Sequence, residues 1–73
     1  MDRTQAIDVY ERLRHHFIDT YITFDKSGNR KGVSLAQSKF DVVVSAFLKV
    51  FGTLPTFEEQ KESKKQMFNK QNQ

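Results

Sequence analysis

The residues whose spacing most suggests chemistry lie in residues 24–37, with the sequence FDKSGNRKGVSLAQ. Asp25, Ser27 and Asn29 occur there at every second position, and each carries a side-chain oxygen. Alternating oxygen ligands are typical of sites for hard cations such as Ca²⁺. The first hypothesis that the sequence raises is therefore a calcium loop.

This stretch resembles the EF-hand family, in which two helices flank a 12-residue calcium loop. Tyr21 and Phe24 stand where that family has the aromatic residues of its first helix, and Asp25 stands at the first loop position. Two positions depart from the family. The sixth requires Gly and is Arg30, and the twelfth requires Glu and is Ala36. With one carboxylate beside a basic pair, we expect no calcium site and no other cofactor.

Catalytic and metal-binding arrangements are sparse elsewhere. His15 and His16 are the two histidines, and adjacent helical positions point about 100° apart, so one metal ion cannot easily use both. Glu11 and Asp19 share a helical stripe with His15, which we interpret as a solvated polar face. There is no cysteine to act as a nucleophile or thiolate ligand, and no glycine-rich phosphate loop. We therefore expect a protein that is not an enzyme.

Length and composition favour one small domain over residues 1–73. The absence of cysteine is typical of proteins in a reducing compartment. The longest apolar runs are three residues, whereas a membrane span needs roughly 20. We expect a cytoplasmic protein with no membrane partner.

The basic residues suggest one class of binding partner. The net charge is +3, and the basic excess is densest in residues 25–32. Lys26, Arg30 and Lys31, with Lys39 further along, are the candidates for contact with nucleic-acid phosphates. The alternative is that this cluster is only a solvated loop.

Helix starts are indicated by capping boxes, in which the first side chain and a Glu or Gln three residues later each satisfy a free backbone N–H group. Three such pairs occur. They are Asp2 with Gln5, Ser34 with Gln37, and Thr56 with Glu59. Each is followed by a stretch of helical character, and Gly52 is a candidate C-terminal cap.

We therefore predict an all-α fold, a small three-helix domain with a long basic loop between helices 1 and 2 and a loosely docked C-terminal helix. The predicted elements are helix 1 at about 4–23, a loop at 24–33, helix 2 at about 35–51, helix 3 at about 56–70 and a tail at 71–73. Two β alternatives exist, a strand at Thr20–Phe24 and one at Val42–Val44. The apolar alternation of Tyr21, Ile22 and Phe24 does not support the first strand, and the length of the second segment favours a helix.

The apolar surplus suggests a second class of partner. Helix 2 is apolar around most of its circumference, which is typical of a helix that is sandwiched or shared with another chain. Helix 3 is mostly charged, and Phe57, Met67, Phe68 and Lys64 are the residues we expect to contact a larger protein. The sequence thus predicts a regulator, an adaptor or an inhibitor that acts by stoichiometric binding. Closure of a monomeric core, or a homodimer through helix 2, is the alternative use of the same residues.

Overall fold

The chain folds into three helices and no strand among the residues described. The computed structural model describes the backbone of residues 2–71 and the side chains of residues 2–66. The helices are α1 (Arg3–Lys26), α2 (Arg30–Phe51) and α3 (Phe57–Gln71). The all-α, three-helix prediction is confirmed, and both β alternatives are wrong. No helix within residues 2–71 is long and apolar enough to cross a membrane.

The first and third capping boxes form as predicted. Asp2 accepts a hydrogen bond from the Gln5 backbone N–H at 2.8 Å, and the Gln5 side chain accepts one from the Asp2 N–H at 3.3 Å. Thr56 and Glu59 make the same reciprocal pair at 3.1 and 3.0 Å. Both boxes satisfy backbone donors that a helix start leaves without an internal partner.

The predicted loop at 24–33 is wrong, because only residues 27–29 connect α1 to α2. The true cap of α2 is Asn29, whose side chain accepts a hydrogen bond from the Gly32 N–H at 2.9 Å. The Asn29 N–H in turn donates to the carbonyl of Phe24 at 2.9 Å, and Gly28 supplies the positive φ of 71° that the turn requires. Ser34 lies inside α2, so the second capping box is wrong.

Gly52 ends α2 as predicted. Its φ is 77°, in the left-handed region that favours glycine, and its N–H donates to the Leu48 carbonyl at 2.7 Å. The short segment that follows returns the chain to the start of α1, where α3 begins.

The core lies between α1 and α2 and is small. Its buried members are Ala6, Ile7, Tyr10 and Phe47, with Phe40, Val43, Val44 and Phe51 partly buried against them. Tyr10 is central, because its ring centroid lies 5.2 Å from that of Phe47 and 6.0 Å from that of Phe40. Aromatic pairs at these separations contribute about 0.5–1.5 kcal/mol beyond the area they bury.

Arg3 joins the remaining parts of the fold. Its guanidinium makes a bidentate ion pair with Glu59 of α3 at 2.8 and 3.1 Å, and donates to the Leu54 carbonyl of the connecting segment at 3.3 Å. It also lies over two α2 rings, 5.5 Å from the centroid of Phe47 and 5.7 Å from that of Phe51. A single side chain of α1 therefore contacts α2, the connector and α3.

The third helix packs against α1 less extensively than α2 does, and within the described residues it does not pack against α2. Besides the Arg3 pair, the Ser63 hydroxyl donates to an Asp8 carboxylate oxygen at 2.7 Å. The predicted weak docking of the last helix is confirmed.

We predict that Gly32→Ala destabilises the fold, although alanine normally favours a helix over glycine by about 1 kcal/mol. A Cβ atom at this position would lie 2.5 Å from Cδ1 and 2.7 Å from Cδ2 of the Phe24 ring. Overpacking of this kind costs about 1–3 kcal/mol, so we expect a net loss of about 1 kcal/mol in urea unfolding. The control is Ser34→Ala, an exposed position in α2 that should be neutral or slightly stabilising. A Gly32→Ala protein as stable as the wild type would contradict the close contact.

We also predict an acid-dependent loss of stability that comes from the Arg3–Glu59 pair. The hydrogen bond from Arg3, with one from the Thr56 backbone, lowers the pKa of Glu59 from 4.5 to about 2. Because the pKa is lower in the folded state, this stabilisation is complete above pH 4.5 and is lost as the pH falls towards 2. The Glu59→Gln variant should have a lower urea midpoint than the wild type at pH 7, and its urea midpoint should depend less on pH between pH 4.5 and 2. Glu58→Gln, at the exposed neighbouring position, should leave both unchanged, and equal effects of the two variants would refute the assignment.

Candidate functional site

An apolar groove opens between α1 and α2, in the half of the helix pair nearest the turn. It encloses about 180 Å³, and its exposed lining is apolar. The lining residues, which we call the apolar groove, are Phe17, Ile18, Tyr21, Ala36, Gln37 and Phe40. A space of this size is comparable with cavities that hold a benzene-sized group.

Local sequence explains why the groove is open. Phe17 and Tyr21 are one turn apart on α1, and Ala36 and Phe40 are one turn apart on α2, so both pairs line the same seam. The Phe17 and Phe40 rings approach with their centroids 6.4 Å apart. Ala36 is buried between larger neighbours, and its short side chain leaves space above it unfilled. The helices therefore pack firmly around Tyr10 but leave a concave surface further along.

A second groove lies between α1 and α3. It encloses about 360 Å³, and we call it the basic groove. Its lining residues are Glu11, Arg14 and His15 of α1 and Phe57, Gln60, Lys61 and Lys64 of α3. Phe57 is 72 % exposed, and the Lys61 ammonium lies 5.8 Å from the centroid of its ring. The groove thus combines an exposed aromatic ring with several cationic side chains.

The one acid in the lining of the basic groove is paired with an arginine. The interpretation of Glu11 as part of a solvated polar face is wrong, because its carboxylate is buried, while His15 and Asp19 are exposed. One oxygen of Glu11 accepts a hydrogen bond from Nε of Arg14. Burial, with the charge of Glu11 as the second cause, raises the pKa of the neighbouring Tyr10. Since Arg14 already offsets Glu11, Lys61 and Lys64 leave the groove with a net positive charge.

The two grooves are neighbours on the same helix. Arg14 lines the basic groove and Ile18 lines the apolar groove, and these positions are one helical turn apart. A segment that lies along α1 could therefore contact both grooves at once. Apolar side chains would enter one groove while acidic side chains faced the other.

Two of the four residues predicted to contact a protein partner lie together. Phe57 and Lys64 both line the basic groove. The side chains of Met67 and Phe68 lie outside the described residues.

The structure places three of the four basic residues predicted to contact phosphate close together and the fourth apart from them. Lys26 ends α1, while Arg30 and Lys31 begin α2, so all three lie exposed at the turn. Lys39 is also exposed but lies about 12 Å further along α2 than Lys31, at a rise of 1.5 Å per residue. The residues 25–36 that resemble an EF-hand loop are largely helical, so that arrangement of ligands is not formed.

The apolar groove was not predicted from the sequence, although the sequence contains a signal for it. The apolar stripe of α1 continues past Phe17 to Tyr21 and Ile22, and both of these side chains remain exposed. A stripe longer than the core can cover indicates an open apolar surface. The length of the stripe alone does not say which part remains open, because that depends on where α3 docks.

Comparison with protein families, curated proteins and solved structures finds no match to this chain.

Proposed function

We propose that this protein is a non-enzymatic adaptor or inhibitor that binds, stoichiometrically, an acidic amphipathic helix of a larger protein. The observation that carries the proposal is the apolar groove, an open concave surface with apolar lining in a chain that buries few large side chains. The absence of cysteine is consistent with action in the cytoplasm.

The apolar groove supports recognition of a helix through its apolar face. Grooves between two helices commonly receive side chains that a partner helix presents at i, i+3, i+4 and i+7. Transfer of one Leu or Phe side chain from water into such a groove stabilises a complex by about 1.5–3 kcal/mol. Ile18 and Tyr21 stand at its rim and would be covered on binding.

The basic groove supports an acidic partner. Lys61 and Lys64 lie beside the exposed Phe57 ring, and Arg14 continues the positive surface towards the apolar groove. Aromatic and arginine side chains are enriched among the residues that dominate binding energy at interfaces. In neither lining does a hydroxyl or thiol accompany an imidazole, and the proposal includes no catalytic step.

We predict that Ile18→Asp abolishes capture of the partner, whereas Val9→Asp does not. The two positions are matched, because Ile18 is 42 % exposed, Val9 is 41 % exposed, and both lie in α1. Nine residues at 100° each place them on opposite sides of the helix. An Asp at this position would place a charge where the partner's apolar side chains are covered, and Arg14, one turn away, is already paired with Glu11. We therefore expect at least a ~30-fold loss of affinity.

The measurement is affinity capture by the immobilised full chain from nuclease-treated lysate, with a high-salt wash, followed by titration of the captured protein. Lys64→Glu should weaken binding mainly at low salt, since it reverses a screened surface charge. Equal capture by wild type, Ile18→Asp and Val9→Asp would refute the apolar groove as the binding surface.

A second candidate function is nucleic-acid binding through the turn between α1 and α2. It is supported by the exposed cluster of Lys26, Arg30 and Lys31, which a three-residue turn gathers at one end of the helix pair. Phosphate contacts release counterions, so affinity should fall as salt rises.

For this function we predict that the logarithm of the binding constant falls with the logarithm of salt concentration, with a slope of about −2.7 for three contacts on duplex DNA. The double variant Arg30→Gln/Lys31→Gln should reduce the slope by about 2, while Lys49→Gln, about 27 Å away from Lys31 along α2, should leave it unchanged. Fluorescence anisotropy with labelled duplex DNA measures both. A slope that is the same in both variants would exclude the turn as the contact surface.

A further inference from the structure

A stripe of exposed residues follows the outer face of α2. Its members, which we call the α2 stripe, are Leu35, Lys39, Val42, Ala46 and Val50. They are spaced by four, three, four and four residues and, at 100° per residue, lie within an arc of about 80°. This spacing is close to the alternation of three and four that characterises the seam between packed helices.

The α2 stripe is not covered by the rest of the described chain. Leu35 is 54 % exposed, Val42 is 69 % exposed and Val50 is 73 % exposed. The third helix packs on α1 and, within its described part, does not pack on α2. The centre of the stripe lies about 110° around α2 from Phe40 and Phe47, which pack in the core.

The molecule as a whole exposes more surface than its mass requires. Its accessible surface is 5650 Å², whereas a compact monomer of 8.6 kDa exposes roughly 4,700 Å². The excess of about 950 Å² is close to the area, about 800 Å² per partner, that a standard protein interface buries. This surplus is spread over the whole molecule and is of the size that one standard interface covers.

We infer that the α2 stripe is a dimer interface that pairs with the same stripe of a second copy in antiparallel orientation. In that orientation the pattern is self-complementary about a two-fold axis beside Val42. Leu35 meets Val50 of the second copy at both ends. Lys39 meets Ala46 of the second copy, the smallest side chain in the stripe.

Lysine decides the orientation. A parallel pairing in register would place the two Lys39 ammonium groups against each other, which is unfavourable. In the antiparallel pairing they are about 10 Å apart along the axis, and each aliphatic stem can cross Ala46 while its ammonium group reaches water. Lys39 therefore needs no acidic residue of another protein to neutralise it in this interface.

This inference does not rest on the proposed function, because the α2 stripe shares no residue with either groove. A dimer formed through the stripe leaves both grooves open. The molecule would then present two copies of the binding surface, one from each protomer, to its protein partner.

The test is sedimentation equilibrium of the full chain over a range of concentrations. We expect a dimer with twice the mass of 8.6 kDa, and at least a ~100-fold rise in the dimer dissociation constant for Val42→Asp, since two carboxylates would be buried at the axis. The matched control is Ser34→Asp, which introduces the same side chain about 120° around α2 from the centre of the stripe and should leave the constant unchanged. Far-UV circular dichroism should report equal helix content in all three proteins.

Substitution of Lys39 provides a second variant. Lys39→Met keeps the length of the side chain and removes its charge, so we expect about tenfold tighter dimerisation and a weaker dependence on salt. A wild-type chain that stays monomeric at all concentrations would overturn the inference, as would a dimer that Val42→Asp and Lys39→Met leave unchanged.

Discussion

The rest of the structure depends on the guanidinium of Arg3. It pairs with Glu59 through two parallel hydrogen bonds, donates to a connector carbonyl and stacks over two phenylalanine rings of α2. Lysine could not make these contacts together, because they need a planar group with several fixed donors. Arg3 therefore fixes the start of α3 beside the start of α1. The far half of the α1–α2 pair, near the turn, is left uncovered as a consequence.

That uncovered half explains why apolar surface remains exposed along both long helices. Among the side chains of residues 2–66, five apolar ones are buried, while large apolar side chains stay exposed along both long helices. The third helix has 15 residues, whereas α1 and α2 have 24 and 22, so α3 cannot cover both faces of the helix pair. The apolar groove lies on the side that α3 covers only in part, and the α2 stripe lies elsewhere on the pair. The two proposed partners, a larger protein and a second copy, would therefore use different surfaces.

The three capping boxes show how far local sequence can be trusted. Those of Asp2 and Thr56 form, and in each the side chains of both members accept a hydrogen bond from the other's backbone N–H. That of Ser34 does not form, because Asn29 caps α2 five residues earlier. Capping from Asn29 is favoured by a contact that no local pattern contains, the packing of the Phe24 ring over Gly32. For the same reason, the residues predicted to form a basic loop instead form the end of α1, a three-residue turn and the start of α2.

The sequence by itself determined the number of helices, their approximate extents and the glycine that ends α2, because periodicity, capping and positive φ are local properties. It also indicated a surplus of apolar surface and the exposed Phe57 and Lys64. Only the tertiary structure decided where that surplus lies, because the position of α3 depends on Arg3 and Glu59, which are 56 residues apart in sequence. That long-range pair determines which part of α1 is covered, and so where the apolar groove opens.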